Sequence, residues 1–411
     1  MNTDSFDLTV LGLGYIGLPT ATMFANSGLR VAGYDVNEEV VKVISRGQIH
    51  IVEPGLGPLV EKVVQSGHLT ASNEVIAADN YIIAVPTPFH DDTKTPDLSY
   101  VFCAVDLIAN ILKVGDLVIL ESTSPPGTTD LVAKRICDKR PDLIDTSGKL
   151  DIYVAYCPER VLPGKILEEL KSNDRIIGGL TSACSRKATA LYERFVCGEC
   201  VTATSPKAAE LTKLVENSFR DVNIAFANEL SLICDDLGAS VWEVIELANR
   251  HPRVNILQPG PGVGGHCIAV DPWFIVSSSK FSKLIKTARD INDQKAEWAL
   301  KKILLAAEQT KSIGKPKVAC FGLTFKPDID DIRESPALKI CNALTKMSEI
   351  ELSIVEPHID PSIAPQFYFE DAATALQSAN LVVLLVDHQE FINLKIPLDV
   401  DVVDFRGKWK T

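Results

Sequence analysis

The feature that most constrains the fold is a glycine-rich turn near the N-terminus, in LTVLGLGYIGLP. Gly12, Gly14 and Gly17 form a G-x-G-x-x-G pattern between a short apolar run and a helix-like segment, and Asp35 closes the next apolar run. In a strand–turn–helix–strand unit, such glycines let a pyrophosphate approach the backbone N–H groups, and the acid accepts hydrogen bonds from ribose hydroxyls. The pattern therefore predicts a Rossmann-type dinucleotide-binding domain.

The acid at the end of the second strand favours one cofactor over another. The carboxylate of Asp35 would repel a 2′-phosphate, so we expect NAD and not NADP. The alternatives are a glycine-rich turn that binds no ligand and an FAD site, although a second segment of the kind that binds FAD is not evident. Thr87 and Thr123 follow later apolar runs, at strand ends where ligands bind in such sheets. Either threonine is a candidate cofactor contact or a cap of the helix that follows.

Short apolar runs alternate with helix-like segments at both ends of the chain. A long helical segment begins near Ser205 and ends before Gly238. After residue 315 the alternation returns as an imperfect repeat of the first domain. This repeat lacks the second and third glycines of the G-x-G-x-x-G pattern, so it should not bind a dinucleotide in the same way. The fold class is α/β, with two Rossmann-like doubly wound domains joined by a long central helix and a helical middle domain. We expect domains over residues 1–200, 201–310 and 311–411.

The composition of the chain argues against two classes of binding partner. The 411-residue chain has a formal net charge of −13, which argues against binding nucleic acid or anionic membranes. No run of about 18 apolar residues occurs, so we expect no membrane span and a cytoplasmic enzyme. Its ten cysteines lack framework spacing, which is typical of reduced thiols. The Cys197-x-x-Cys200 pair has no second pair beside it and is not interpreted as a metal site.

Several groups that can act as acids, bases or nucleophiles lie outside the nucleotide fingerprint. Lys213 and Asn217 lie four residues apart on the long helix, and Arg220 follows three residues later. A solvated, ion-paired helix face is the alternative for these three. Cys267 ends a run of glycines and prolines, PGPGVGGHC. NAD with a thiol suggests oxidation of an alcohol to an aldehyde, addition of the thiolate, a second oxidation to a thioester, and hydrolysis.

Seven segments, in order, resemble the UDP-glucose/GDP-mannose dehydrogenase family over nearly the whole chain. These are GLGYIGLP, AVPTPF, ESTSPPGTT, CPERVLPGK, AELTKLVENSFRDVNIAFANELSLIC, GPGVGGHCIAVDPWF and GLTFKPDIDDIRESPA. The segment NRHPRVNILQPGPGVGGHCIAVDPWF resembles the branch that acts on N-acetylated sugars. The resemblance implies four-electron oxidation at C6 of a UDP-N-acetylhexosamine, with UDP-N-acetyl-D-mannosamine expected first and UDP-N-acetylglucosamine or UDP-glucose as alternatives.

The resemblance also implies roles for individual residues. Cys267 matches the nucleophile, Lys213 the catalytic lysine and Asn217 its oxyanion partner, whereas Asp271 and Glu159 match acids that support the water network and thioester hydrolysis. His251 and Arg253 are expected to reach the neighbouring subunit of a homodimer built on the long helix. The NAD contacts implied are Gly12, Gly14, Tyr15, Ile16, Gly17, Asp35, Thr87 and Thr123. The UDP-sugar contacts implied are Arg160, Val161, Lys213, Asn217, Arg220, His251, Arg253, Gly264, Lys326 and Arg333. No metal is expected.

One position departs from the family pattern. Pro163 stands where UDP-glucose dehydrogenases commonly carry a second glutamate, so the hydrolysis network should differ. Two further functions remain open on the residues alone. A one-step hydroxyacid dehydrogenase would use Lys213 and Asn217 but would leave the cysteine segment and the third domain unexplained. A non-catalytic sensor of NAD or nucleotide sugar would keep the fingerprint without the chemistry.

Overall fold

The structure is a computed structural model that describes residues 5–90, 92–311 and 314–409. The chain divides into two compact units, one of residues 1–215 with 273–278 and the other of residues 216–272 with 279–411. The expected three-domain division by function remains a prediction.

The first unit alternates strands and helices around one sheet. Its elements are β1 (Phe6–Leu11), α1 (Gly17–Asn26), β2 (Val31–Tyr34), α2 (Glu38–Ser45), α3 (Leu56–Gln65), β3 (Leu69–Ser72), β4 (Ala78–Ile83), α4 (Ser99–Ala109), β5 (Leu117–Leu120), α5 (Thr128–Lys139), β6 (Tyr153–Tyr156), α6 (Ile166–Ser172), β7 (Arg175–Gly179), α7 (Ser182–Tyr192) and β8 (Cys200–Thr202).

Helix α8 (Pro206–Leu237) follows β8 and continues into the second unit. The remaining elements are α9 (Val241–Ala248), α10 (Asp271–Ser278), α11 (Lys283–Gln309), β9 (Lys317–Phe321), α12 (Pro336–Leu344), β10 (Glu351–Val355), α13 (Ala372–Ser378), β11 (Leu381–Leu384), α14 (Gln389–Ile392) and β12 (Asp401–Asp404). In the part of the chain that the structure describes, no helix combines the length and the apolar character needed to cross a bilayer.

The larger sheet has eight strands in the order β3-β2-β1-β4-β5-β6-β7-β8. Its first six strands are parallel, and strands such as β5 are buried along their whole length because helices cover both faces. Strands β7 and β8 were not predicted from the sequence, and both run antiparallel to β6. The reversal places the first residue of β7 beside the carboxyl end of β6.

The smaller sheet repeats part of the larger one. Its order β10-β9-β11-β12 is entirely parallel and corresponds to β2-β1-β4-β5. Gly322 follows β9 as Gly12 follows β1, and the N–H of Leu323 donates to Glu356 as that of Leu13 donates to Asp35. This confirms the predicted internal repeat and the predicted α/β class with two Rossmann-like sheets.

The start of α8 is fixed by a contact that sequence inspection did not predict. Ser205 caps the helix as expected, with its Oγ accepting from the N–H of Ala208 at 3.2 Å. One turn later, the buried Glu210 carboxylate accepts from the N–H groups of Gly127 and Thr129 at 2.5 and 2.7 Å, and from the Thr129 hydroxyl at 2.6 Å. Glu210 therefore satisfies the free N–H groups at the start of α5.

Replacing Glu210 with glutamine should destabilise the protein. The amide has the size of the carboxylate, but it has one acceptor oxygen and brings an NH₂ group against backbone donors. We expect a loss of about 1–3 kcal/mol in the free energy of unfolding, measured by urea denaturation. Glu229→Gln, at an exposed position of the same helix, is the matched control and should not move the midpoint. Equal midpoints for the two variants would contradict this role of Glu210.

Candidate active site

The turn between β1 and α1 has the geometry that a dinucleotide requires. A Cβ on Gly17 would collide with the carbonyl oxygen of Gly12, and a Cβ on Gly12 would lie 2.5 Å from the carbonyl oxygen of Ala84. No atom lies within 4 Å of a Cβ built on Gly14, so the backbone there is open to a ligand. Tyr15 and Ile16 complete the turn, and α1 begins at Gly17. The residues present fit a pyrophosphate at the start of this helix.

The predicted ribose acid is held in place beside that turn. One carboxylate oxygen of Asp35 accepts from the N–H of Leu13, and the other accepts from the N–H of Asn37, both at 2.9 Å. The side chain is only partly buried, so its oxygens can still accept hydrogen bonds from a ligand. These contacts place the carboxylate at the glycine turn, as an NAD site requires.

The acid at the corresponding position of the smaller sheet, Glu356, is hydrogen-bonded to a histidine. Glu356 Oε2 accepts from Nε2 of His388 at 3.1 Å, and both side chains are buried. Burial raises the pKa of Glu356, but the hydrogen bonds from His388 and Leu323 outweigh it and lower that pKa. Since Glu356 is buried and bonded to His388, whereas Asp35 is only partly buried, the smaller sheet does not present its acid to a ribose as the larger sheet presents Asp35.

Three side chains near this acid lie close enough together to suggest a metal site. Asp328, His358 and His388 bring one potential ligand atom each within 4.8 Å of one another. However, Nδ1 of His388 accepts from the N–H of Asp328 at 2.9 Å, and its Nε2 faces Glu356. Both ring nitrogens are therefore used, and His388 has no lone pair to give to a metal ion.

The two predicted threonines meet at the carboxyl ends of β4 and β5. The hydroxyl of Thr87 donates to the carbonyl oxygen of Thr123 at 2.6 Å. Neither threonine is a helix cap, because α4 is preceded by Leu98 and α5 by Gly127. The capping alternative is wrong, and both residues lie at the sheet edge where ligands bind.

The acid Glu159 lies just beyond the carboxyl end of β6 and is buried. Its Oε2 accepts from Nη1 of Arg175 at 2.9 Å, whereas no described residue bonds its Oε1. Arg160 is half-buried and donates to the carbonyl oxygen of Asp174, and Val161 packs against the core of the first unit. Among residues 159–161, only Glu159 is buried.

The segment that contains Cys267 forms a polar cluster within the second unit. The amide of Asn217 on α8 donates to Oδ2 of Asp271, at the start of α10, with a distance of 2.6 Å. The N–H of Asp271 donates to the carbonyl oxygen of Cys267 at 2.9 Å, and the Cys267 side chain is exposed. Because a carboxylate only accepts, Asp271 fixes which end of the Asn217 amide faces it.

Two of the three polar residues predicted on one face of α8 are buried, so the alternative of a solvated face applies only to Arg220. Lys213 and Asn217 are each 8% exposed, whereas Arg220 is open to solvent. A buried lysine and a buried asparagine one turn apart need polar partners or a ligand. The burial supports a site on this face of the helix.

Close packing explains the glycines that precede Cys267. A Cβ on Gly264 would lie 2.6 Å from the carbonyl oxygen of Glu334 and 2.7 Å from Cβ of Phe325. The N–H of Gly265 donates to the carbonyl oxygen of Arg333 at 3.1 Å. The glycine segment thus packs on the loop that carries Arg333 and the exposed Lys326. Contact with this loop therefore accounts for the small residues at positions 264 and 265.

The remaining predicted substrate contacts lie at the surface of the second unit. Arg333 forms a two-pronged ion pair with Asp331, with Nη2–Oδ2 at 2.6 Å. His251 and Arg253 follow α9 and are both exposed, and the N–H of Arg253 donates to Nδ1 of His251. All ten cysteines fall within the described residues, and none of them forms a disulfide, including Cys197 and Cys200.

Three domain models of one family match this chain. The NAD-binding domain of the UDP-glucose/GDP-mannose dehydrogenase family matches residues 6–196, the central domain residues 207–294, and the UDP-binding domain residues 319–409. The chain belongs to the UDP-glucose/GDP-mannose dehydrogenase family. The resemblance, the enzyme class and the NAD cofactor are thereby confirmed: this family member is an NAD-dependent UDP-sugar dehydrogenase.

Individual relatives are similar over their full length. The chain is 52% identical to a UDP-N-acetyl-D-mannosamine dehydrogenase of Yersinia pestis, over 98% of this chain and 99% of the relative. It is also 52% identical to an NDP-N-acetyl-D-galactosaminuronic acid dehydrogenase of Ralstonia nicotianae, over 100% and 97%. A solved UDP-N-acetyl-mannosamine dehydrogenase from Staphylococcus aureus superposes with a TM-score of 0.84 at 46% identity, covering 98% of this chain and 95% of that one.

Sequence reasoning missed two buried residues of the dehydrogenase beside Glu159. Arg175 and Glu121 lie 3.9 Å apart, Nη1 to Oε1, and both are almost fully buried. Glu121 directly follows β5, so the rule that selected Thr123 at a strand end also applies to it. Arg175 gave no such signal, because the reversal of β7 brings it to this edge.

Proposed function

We propose that this dehydrogenase oxidises C6 of UDP-N-acetyl-D-mannosamine to the uronate in two steps, through a hemithioacetal and a thioester on Cys267. We further propose that it acts in the cytoplasm and that its product serves surface-polysaccharide synthesis. The observation that carries the mechanism is the Asn217–Asp271 hydrogen bond of 2.6 Å beside the exposed Cys267. It joins an oxyanion donor and a buried acid next to the one thiol that follows the glycine segment.

The first step removes a hydride and a proton from the C6 alcohol. A bound NAD would accept this hydride, and a second NAD molecule would accept the hydride of the second oxidation. Lys213 and Asn217 stabilise the oxygen as its proton leaves, and the network at Asp271 carries that proton away. The resulting aldehyde carbon is then open to attack by a thiolate.

The second step needs the cysteine. The sulfur of Cys267 bonds to the aldehyde carbon, and Asn217 donates to the oxyanion that forms. Loss of a second hydride gives the thioester. Water then attacks the carbonyl carbon, Glu159 accepts the water proton, and the carbon–sulfur bond breaks with sulfur leaving as thiolate.

The diphosphate and sugar require local positive charge in an acidic protein. Arg253, Lys326 and Arg333 are exposed cations on loops of the second unit, and arginine offers paired donors to phosphate oxygens. We assign the sugar and uridine contacts to Arg160, Val161, Arg220, His251 and Gly264 together with these cations. Binding of substrate must displace Asp331 from Arg333 if Arg333 takes up a phosphate.

Substrate identity is tested with a panel of purified UDP-sugars and both NAD and NADP. UDP-N-acetyl-D-mannosamine with NAD should give the highest kcat/KM. UDP-N-acetylgalactosamine is the second candidate, because the relative from Ralstonia nicotianae is as similar as the one from Yersinia pestis. UDP-N-acetylglucosamine and UDP-glucose complete the panel. A higher kcat/KM for any of these three would overturn the assignment of the sugar.

Exposed apolar residues on α8 support a homodimer built on this helix. Phe219, Phe226 and Ile233 recur every seven residues, and Leu237 continues the same stripe. Phe219 and Leu237 are 72% and 74% exposed, which is unusual for large apolar side chains on one face. We propose that a second copy covers this stripe and that His251 and Arg253 then reach the partner's site.

Replacing Phe226 with aspartate should convert the dimer to a monomer. A charge at the centre of the stripe would be buried against apolar side chains, which costs several kcal/mol. Light scattering after size-exclusion chromatography gives the mass directly. Glu229→Gln, outside the stripe, should remain dimeric. A wild-type protein of 44.8 kDa in solution, the mass of one chain, would refute the dimer.

A further inference from the structure

The first unit contains a buried cluster of charges at the carboxyl edge of its sheet. Glu121 follows β5, Glu159 follows β6, and Arg175 begins β7, so three neighbouring strands each supply one member. Arg175 is 3% exposed, and the side chains of Glu121 and Glu159 are 0% and 7% exposed. Two buried acids sharing one buried cation is a costly arrangement that a stable fold alone does not need.

The contacts within this cluster are unequal. Nη1 of Arg175 lies 2.9 Å from Oε2 of Glu159 but 3.9 Å from Oε1 of Glu121. The hydroxyl of Tyr192 donates to Oε1 of Glu121 at 3.0 Å, and the guanidinium lies 5.2 Å from the centre of the Tyr192 ring. Arg175 is thus bonded to Glu159 on one side and has Glu121 and Tyr192 on the other. Glu159 cannot rotate without breaking its bond to Arg175.

Two carboxylate oxygens of the cluster, Oε2 of Glu121 and Oε1 of Glu159, are buried and have no hydrogen-bond partner among the described residues. A carboxylate oxygen in that state is costly unless another group binds it. Of the two acids, Glu159 is the one bonded directly to Arg175, and it lies beyond the carboxyl end of β6, where ligands bind in sheets of this kind. A water molecule or a reacting group is the partner that the geometry requires.

We propose that Arg175 is the positioning residue for Glu159 and that Glu121 anchors Arg175, so that Oε1 of Glu159 is held as the acceptor for the hydrolytic water. This inference rests on the proposed function, in which Glu159 takes the proton of the water that attacks the thioester. Arg175 touches neither substrate nor cofactor in this role. It acts through the orientation and the charge of Glu159.

The ionisation of Glu121 makes the charge of this cluster depend on pH. Burial raises the pKa of Glu121 to about 7, although Arg175 and the Tyr192 hydroxyl lower it; Glu159 and Cys157 are the other titratable groups nearby. Below pH 7 Glu121 is neutral, and Arg175 neutralises Glu159 alone. Above pH 7 the charged Glu121 competes with Glu159 for Arg175, so the guanidinium offsets the charge of Glu159 less completely. Hydrolysis should therefore speed up as the pH rises through about 7.

The test separates the oxidation steps from hydrolysis of the thioester. Enzyme is mixed with excess UDP-sugar and NAD, NADH is followed in the first turnover, and quenched protein is weighed by intact mass spectrometry. In Arg175→Met, two NADH per site should form in a burst, turnover should then fall by about 10²-fold, and a UDP-sugar acyl adduct should accumulate. Glu159→Gln should give the same pattern, and Arg175→Lys should recover part of the turnover.

Two further variants keep the test decisive if Arg175→Met does not fold. Glu121→Gln keeps the size of the side chain and should flatten the rise in hydrolysis rate near pH 7. Arg289→Met removes another buried ion pair, with Asp221 in the second unit, and should lower stability without accumulation of the adduct.

Two outcomes would overturn the positioning role. One is an adduct in Glu159→Gln with none in Arg175→Met or Arg175→Lys. The other is an adduct in Arg289→Met equal to that in the Arg175 variants, which would make the effect one of stability. If wild-type enzyme releases one NADH per sugar, the proposed function itself fails, and that result is distinct from both.

Discussion

Replacing Cys267 with alanine should abolish uronate formation while NAD binding is retained. The alanine cannot form the hemithioacetal, so the second oxidation has no covalent substrate. Loss of a covalent nucleophile costs on the order of 10⁴-fold or more in turnover. The uronate is quantified by chromatography of the nucleotide sugars, and NAD affinity by calorimetry.

A second exposed cysteine provides the control for this variant. Cys197→Ala removes a thiol of the same kind from the first unit and should leave uronate formation unchanged. The NAD site lies in the β1–α1 turn, so neither change should alter NAD affinity. Uronate production by the Cys267 variant at the wild-type rate would remove this residue from the mechanism.

Replacing Asn217 with alanine should lower kcat by about 10²–10³-fold, the range found for loss of one oxyanion donor. The amide is held by Asp271 at 2.6 Å and is buried, so a neighbouring side chain cannot easily replace it. KM for the UDP-sugar should change much less than kcat, because the oxyanion exists only during reaction. Steady-state kinetics with NADH absorbance measures both quantities.

The same substitution six residues along α8 provides the comparison. Asn223 donates to the carbonyl oxygen of Phe219 within the helix and has no place in the proposed chemistry. Asn223→Ala should keep kcat within about twofold, because surface substitutions of this kind have small effects. If Asn217→Ala has the kcat of Asn223→Ala, the oxyanion role is contradicted.

Local patterns predicted most of the elements. Val/Ile/Leu runs marked β1, β5 and β9 because strands buried on both faces need continuous apolar residues. Serine, proline and glycine marked the ends of α8, where Ser205 caps the helix and Gly238 follows with φ of +69°. These signals lie within a few residues of the element that they specify.

Contacts between distant residues could not be predicted in this way. Glu210 and Gly127 are 83 positions apart, and Arg175 and Glu121 are 54 apart, so no local period reveals either pair. The direction of β7 depends on which strand it pairs with, and its sequence, Arg-Ile-Ile-Gly-Gly, does not specify that partner. Glu121 was nevertheless within reach of the rule for strand ends that selected Thr123.

In the candidate site, some features could be predicted from the sequence and others are visible only in the structure. The spacing of the glycines and Asp35 predicts a dinucleotide site, and the structure places Asp35 on the N–H of Leu13 as that spacing implies. Cys267, Lys213 and Glu159 were selected mainly because they match positions in a family. The bond between Asn217 and Asp271, and the free oxygen of Glu159, are visible only in three dimensions.

The yield of NADH per molecule of sugar consumed tests the central claim most directly. Wild-type enzyme is given limiting UDP-N-acetyl-D-mannosamine and excess NAD, and the final NADH absorbance is divided by the amount of sugar consumed. Oxidation of an alcohol to a carboxylate removes four electrons, so the account predicts two NADH per sugar. A yield of one, with an aldehyde or ketone as product, would contradict it.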